Sequence, residues 1–468
     1  MMRKQAPGVL PALLLAALLA AACEQPAGTG GGPEIMVRDA ASLAKIGLDP
    51  GLPLNGAYVL DADLTLDDWE PLGTHEAPFT GTFDGGGRTI TITGASGGLF
   101  GHVKGASVRN LKVNVRVVVS TAAGLGAQVG GIAGSAEGSA FENCTAQVVI
   151  RLTAHGHNSA AGGIAGAIKN GSAIRSCTAR GAITLESGMG EELMVYAGGI
   201  AGDGGFGGGV NDNLITRSRW NGAVSASGGY AYCGGIVGYN YSGAAVTLCS
   251  AAGTVSARGN NLPYAGGIAA YNSGGQFHEA PTYIEDCYST ADINAESDSQ
   301  YALAGGIAGA NATANTRISR CYSTGAVSVK VAGDGGTETG GTLGVPAAAN
   351  AGGIAGAQYV GAPLIENCAA LNTSLTGEDS ASGAGWNIYR IAGAGDSGDG
   401  QRTNNVANAA MTISQGGNPR AADDAEAGGK DGADCAARPD QAVYAALGWD
   451  FTAVWTMGGD GYPALKWE

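Results

Sequence analysis

Charge is scarce in this chain: Asp, Glu, Lys and Arg make up 14% of its 468 residues, where a soluble domain usually carries about 25%. What charge exists leans one way, with 40 acidic side chains against 25 basic ones and a formal net charge of −15. No basic stripe offsets that field, which excludes nucleic acid as a partner. Histidine is rare too, occurring only as His75, His102, His155, His157 and His278. His75-Glu76 and His278-Glu279 open like a zinc-protease helix, but neither continues to a second His at helical spacing. The chain has no Cys-x-x-Cys, no GxSxG elbow and no phosphate-binding lysine loop. The residues therefore point to no metal, no cofactor and no enzyme.

Glycine is what the chain has instead. It supplies 83 residues, about 18% where roughly 7% is usual. Collagen's every-third-residue period is absent, and a hydrophobic content of 44% is enough to bury a core. The glycines gather in one phrase, AGGIAG at Ala161–Gly166, which returns along most of the sequence. Its Gly pair begins at Gly97, Gly130, Gly162, Gly198, Gly234, Gly266, Gly305 and Gly352, with a degenerate ninth copy at Arg390–Gly393. Such a period is the mark of a stacked-repeat architecture. Each unit then reaches a second landmark, at Cys144, Cys177, Ser218, Cys249, Cys287, Cys321 and Cys368, and an apolar residue stands three before each.

Beyond the landmark, small or apolar residues hold the even places: Ala179, Gly181, Ile183 and Leu185 after Cys177, and Ala251, Gly253, Val255 and Ala257 after Cys249. Period two means strand, with the even side inward. The apolar residue at −3 breaks that parity, so a bend must separate it from the landmark. Each unit reads as a GGIAG strand, a corner, a strand, a Gly corner and a third strand, then a loop of changing length. Three short strands cannot bury their own face, and stacking successive units satisfies every backbone group. The fold class is therefore all-β, a single-stranded parallel β-helix of about nine coils with caps at both ends. Its interior carries an Ile/Val ladder and a ladder of cysteines, Cys144, Cys177, Cys249, Cys287, Cys321 and Cys368, whose spacing permits disulfides between neighbouring coils but whose parallel side chains suit stacked buried thiols better. Cys233 and Cys435 stand outside that column.

The ends follow from composition. Arg3 and Lys4 before an apolar stretch mark residues 1–22 as a secretory signal peptide; its ending LAAAC resembles a bacterial lipoprotein signal, which implies lipidation at Cys23, with an ordinary signal peptide cleaved nearby as the alternative. Residues 23–33 form a Gly/Pro-rich tether. Residues 34–94 form an N-terminal cap, with Asp39 capping a short helix and Tyr58, Leu60, Leu64, Leu66, Phe79, Phe83, Ile90 and Ile92 alternating inward. Repeats occupy 95–411. A Gly/Asp/Ala-rich mobile excursion covers 412–438, and the aromatic segment 439–468 plugs the open end of the coil.

GGIAG followed by the spaced Ile, Cys and Gly-x-Val resembles the GLUG-type repeat of bacterial surface proteins. FTGTFDGGGRTI, ending at Ile90, and the closing GGDGYPALKWE resemble the segments that introduce and end such arrays. The resemblance implies right-handed coiling and display at the cell envelope by a monomer anchored through its N-terminal lipid. Such arrays accompany adhesins and the non-catalytic part of some IgA proteases. It points to an extracellular glycan or protein ligand, with a purely structural role or a polysaccharide lyase or hydrolase as alternatives. Candidate contacts are the tyrosines beside the Gly pairs, Tyr196, Tyr232, Tyr264 and Tyr301 before them and Tyr239, Tyr241, Tyr271 and Tyr359 after. If they line one edge they form an amphipathic strip, and otherwise they shield loop bases. Glu142, Glu285 and Glu366 share the −2 column, with Asp286 adjacent. Asn240, Asn272 and Asn311 share a place suited to an amide ladder. Variable loops such as Val331–Asn350 are further recognition candidates.

Overall fold

A computed structural model describes residues 33–187, 193–205, 211–275, 280–298, 301–332, 348–359, 361–379, 385–395 and 400–468. The signal peptide, Cys23, His278 and most of the Val331–Asn350 loop lie outside the described residues. The chain is a parallel β-helix, and each coil has four walls rather than three. In one coil these are Ala165–Lys169 (sheet I), Ala173–Arg175 (sheet II), Thr178–Ser187 (sheet III) and Met194–Gly198 (sheet IV). Among the described residues sheet I holds nine strands, sheet II twelve and sheet IV eight, paired in parallel from coil to coil. Sheet III is an open stack. Its strand breaks in two in later coils, so Tyr288–Ser289 and Asp292–Ser297 both pair with Ser250–Gly259.

The extra wall comes from the Gly pair, which is a bend and not part of one strand. In AGGIAG, Ala161-Gly162 ends sheet IV and Ala165-Gly166 begins sheet I. Both glycines are obligatory for contact reasons. A Cβ on the first would lie 2.0 Å from the carbonyl oxygen of Ala165, and on the second 2.2 Å from that of Gly199 in the next coil. The same clashes recur at Gly234 and Gly235, with Val237 and Gly267.

The expected bend before the landmark is a single residue with left-handed backbone. Asn110, Asn143, Ser176, Arg217, Leu248, Asp286, Arg320, Asn367 and Asn404 all take φ between 47° and 56°. Asn favours that region, and Asn143 donates to Asn110 at 2.8 Å along the column. The next residue turns inward. The six column cysteines are buried free thiols, each near the carbonyl oxygen two residues earlier, as Cys144 Sγ is to Glu142 O at 3.3 Å. Burial pushes the thiols of Cys177, Cys287 and Cys368 well above their usual pKa. Asn240, Asn272 and Asn311 form the amide ladder, with 2.8 Å at each step.

At the N-terminal end Asp39 caps the helix Ala40–Ala44, accepting from Ser42 N at 2.7 Å, and Leu43 and Ile46 enter the core. The other end corrects two expectations. Described residues of the Gly/Asp/Ala-rich segment form the end cap: Ile391 N donates to Lys430 O and Asn405 N to Ala427 O. Buried Asp431 accepts from Arg390 N at 3.0 Å and from Arg420. The aromatic segment 439–468 does not plug the coil but lies along its flank. Trp467 donates to Leu248 O, Trp455 to Asp286 and Trp449 to Asn367 O, so the segment crosses several coils at their left-handed corner. That corner offers two backbone carbonyls and the Asp286 carboxylate to indole donors, whereas the coil's end is already covered.

Candidate functional site

The outer faces of sheets I and IV meet at the Gly bend and enclose a seam separate from the main core. On sheet IV its column runs Gln128, Ala160, Tyr196, Tyr232, Tyr264, Leu303, Asn350 and Asn387. On sheet I it runs His102, Ser135, Ala167, Asp203, Tyr239, Tyr271, Ala310, Ala357 and Ala394. The candidate tyrosines thus do share one seam, but they fill it. Tyr196, Tyr232, Tyr239, Tyr264 and Tyr359 are buried, and Tyr241, Tyr271 and Tyr301 are half-buried around them. Tyr232 and Tyr264 stack at 4.9 Å and 7°, and Tyr239 and Tyr271 at 5.3 Å and 2°. That spacing is the coil repeat itself, so a ladder of tyrosines stacks without adjustment. Desolvation raises the Tyr239 and Tyr264 phenols well above their usual pKa. The five buried rings are a second core rather than an exposed strip.

Nearer the N-terminus the seam columns carry Gln, Ala and Ser, and a cleft of ≈ 780 Å³ opens beside them. His102 and Ser135 stand on its sheet I wall, with Glu137 and Lys169 at the end of that wall. Gly126–Gln128 and His157 form the other side, and Glu70, Pro71 and His75 the floor. His102 Nδ1 and Ser135 Oγ are 2.5 Å apart. The His75 and His102 rings meet edge to face at 4.8 Å. Desolvation, then the neighbouring His75, lowers the His102 pKa and favours a neutral ring, whose tautomer sets the direction of the bond to Ser135. Glu137 lies 4.0 Å from His102 Nε2 but is held by Lys104 at 3.1 Å and Asn170 at 3.0 Å. Those two partners lower its pKa. The cleft therefore offers a hydroxyl, imidazoles and fixed charges of both signs, suited to holding a polar ligand by hydrogen bonds. Among the described residues no group of three His, Cys, Asp or Glu is placed to hold a metal ion.

The acidic column is tied up. Arg317 lies 3.4 Å from Glu285 and 3.8 Å from Glu366, while Arg320 binds both Glu285 and Asp286. Glu142 stands several coils away and exposed. Sequence reasoning noted the cleft histidines but not their partners. One signal was available: Lys104, Glu137 and Lys169 follow their Gly pairs by the same interval and form a column of alternating charge.

No protein-family model matches the chain, and no curated protein matches it. Among solved structures, the crystal structure of "a putative immunoglobulin A1 protease from Bacteroides ovatus" aligns over 95% of both chains at 20% identity, with a TM-score of 0.40. At that distance nothing of that protein's activity is carried over to this chain.

Proposed function

We propose that this protein is a lipid-anchored, cell-surface β-helix of the GLUG-repeat type that binds an extracellular ligand in the histidine-lined cleft. The observation that carries the reading is the change within one seam, from coils packed with tyrosine and alanine to a cleft lined by His102, Ser135, Glu137 and Lys169. A scaffold alone has no need to leave that stretch open and polar. The leader ending at Cys23 supports export and anchoring to a bacterial envelope, and the acidic surface favours glycan or protein over nucleic acid. The arginine-paired acids of the flank argue against glycoside cleavage there, which needs a free acid and base across a sugar.

The test exploits the register. Ser135 shares its column with Tyr239 and Tyr271, so Ser135→Tyr should close the cleft with a side chain the seam already accommodates. Arrays of glycans and of matrix proteins, probed with the wild type and with Ser135→Tyr, should show a ligand that only the wild type holds. Equal binding by both would remove the cleft from the reading, and silence on every array would leave a structural protein. Palmitate labelling that persists in Cys23→Ala would refute the anchor.

A further inference from the structure

We infer that the ligand of the cleft is an extended segment of polypeptide, taken up as an added strand on the Gln128–Gly130 edge; this rests on the binding reading above. Gln128–Gly130 is the first strand of sheet IV, and its one strand neighbour is Ser159–Gly162. Ala160 N donates to Ala127 O at 2.9 Å and Gly131 N to Gly162 O at 3.2 Å. Backbone groups alternate sides along a strand, so the N–H and C=O of Gln128 and the N–H of Gly130 face away from that neighbour. Among the described residues none of these three groups has a hydrogen-bond partner.

The chain treats the adjoining edge differently. The first strand of sheet I is covered by the 71–73 segment, with Gly101 N donating to Leu72 O at 2.8 Å and His102 N to Gly73 O at 3.1 Å. Among the described residues no such cover reaches Gln128. Edge strands are usually blunted by Lys, Pro or a bulge, yet here the residues are Gly126, Ala127, Gln128 and Val129, with Gly126 exposed and Ala127 and Gln128 half-buried. This edge is itself one lip of the cleft. A donor and an acceptor on every second residue, repeating at about 7 Å, is the complement of an extended peptide backbone. A sugar chain has no matching array. Side chains of alternate peptide residues would then reach His102 and Ser135 on the facing wall.

The experiment uses the full chain. A short-peptide array and an oligosaccharide array are screened together, and the strongest peptide is resynthesised as a series with one backbone nitrogen methylated at a time. Strand addition predicts that methylation at alternate residues weakens binding about tenfold while the intervening positions change little. Gln128→Pro deletes an N–H that the Ser159–Gly162 ladder does not use, and should weaken the peptide at least as much, whereas Gln128→Ala should bind normally. Should Gln128→Pro fail to fold, the methylation series on the wild type decides alone. A flat series, or full binding by a folded Gln128→Pro, overturns the inference. Ligands confined to the oligosaccharide array and lost in Ser135→Tyr would overturn it while leaving the binding reading intact. Binding to neither array would remove both.

Discussion

The Gly pair makes the sharpest claim about stability, and Gly235→Ala tests it. The added Cβ would stand 2.1 Å from Gly267 O and 2.7 Å from the Ala251 methyl. Relief requires the next coil to retreat by about 1 Å, because carbon and oxygen in contact prefer more than 3 Å. The bonds stretched are Gly235 N to Gly266 O at 3.0 Å, and Ile236 N and Val237 N to Ile268 O at 2.9 Å each. Three such bonds at about 1 kcal/mol each, with about 1 kcal/mol of overpacking, make a cost near 4 kcal/mol. The stiffer unfolded chain returns up to about 1 kcal/mol, leaving about 3. Gly385→Ala is the control, since nothing lies within 4 Å of its Cβ position and its φ is not in the left-handed range. Guanidinium unfolding should be followed by circular dichroism together with limited proteolysis, because stacked repeats need not unfold in one step. Gly235→Ala should unfold at clearly lower denaturant and become cleavable near its coil. Coincident transitions for the two variants would refute the contact argument.

Further outcomes follow from the same geometry. Tyr232→Ala removes a ring stacked on both sides within the outer seam and should cost about 3 kcal/mol, measured by chemical denaturation; a neutral result would return the tyrosines to the candidate site. Trp220 is wholly buried in its column between Ala179 and Ala251, and its indole N–H has no partner among the described residues. Trp220→Phe should therefore lose clearly less stability than Trp220→Ala, for which about 4 kcal/mol is expected, in paired unfolding curves. His102 has a folded pKa below the ordinary histidine value of about 6.5, so its neutral form is the one the fold favours. Its contribution is present above about pH 6.5 and is lost as pH falls from there through the folded pKa, because the unfolded chain binds the proton first. Wild type should destabilise more than His102→Gln on acidification through that range, and parallel melting curves would contradict this.

Much of the coil was legible in the sequence because its causes are local and repeated. Even-place residues such as Ile183 and Leu185 point inward by strand parity, and the broken parity at −3 demanded the corner that Ser176, Leu248 and Arg320 occupy with positive φ. Asp39 and the asparagine ladder were equally readable, each being a short-range rule with one geometric outcome. AGGIAG was misread as a strand because its glycines are imposed by carbonyls that only the folded bend brings near, Ala165 O across the turn and Gly199 O in the next coil, which no local pattern records. That the tyrosines share one seam was left open by the sequence, and their burial depends on the facing wall. Among the cleft residues, His102 and Glu137 carry no motif, and only the repeat register brings them together on one wall.

The sequence by itself determined that this chain is a stack of β-coils and which side chains face in, since periodicity acts residue by residue. Tertiary structure alone decided where the stack ends, where its last segment docks and where its surface opens. The aromatic C-terminus found carbonyls on the flank, the Gly/Asp/Ala-rich segment closed the end, and the missing cover beside Gln128 left an edge exposed. Those outcomes turn on contacts between distant residues, which composition and spacing do not encode.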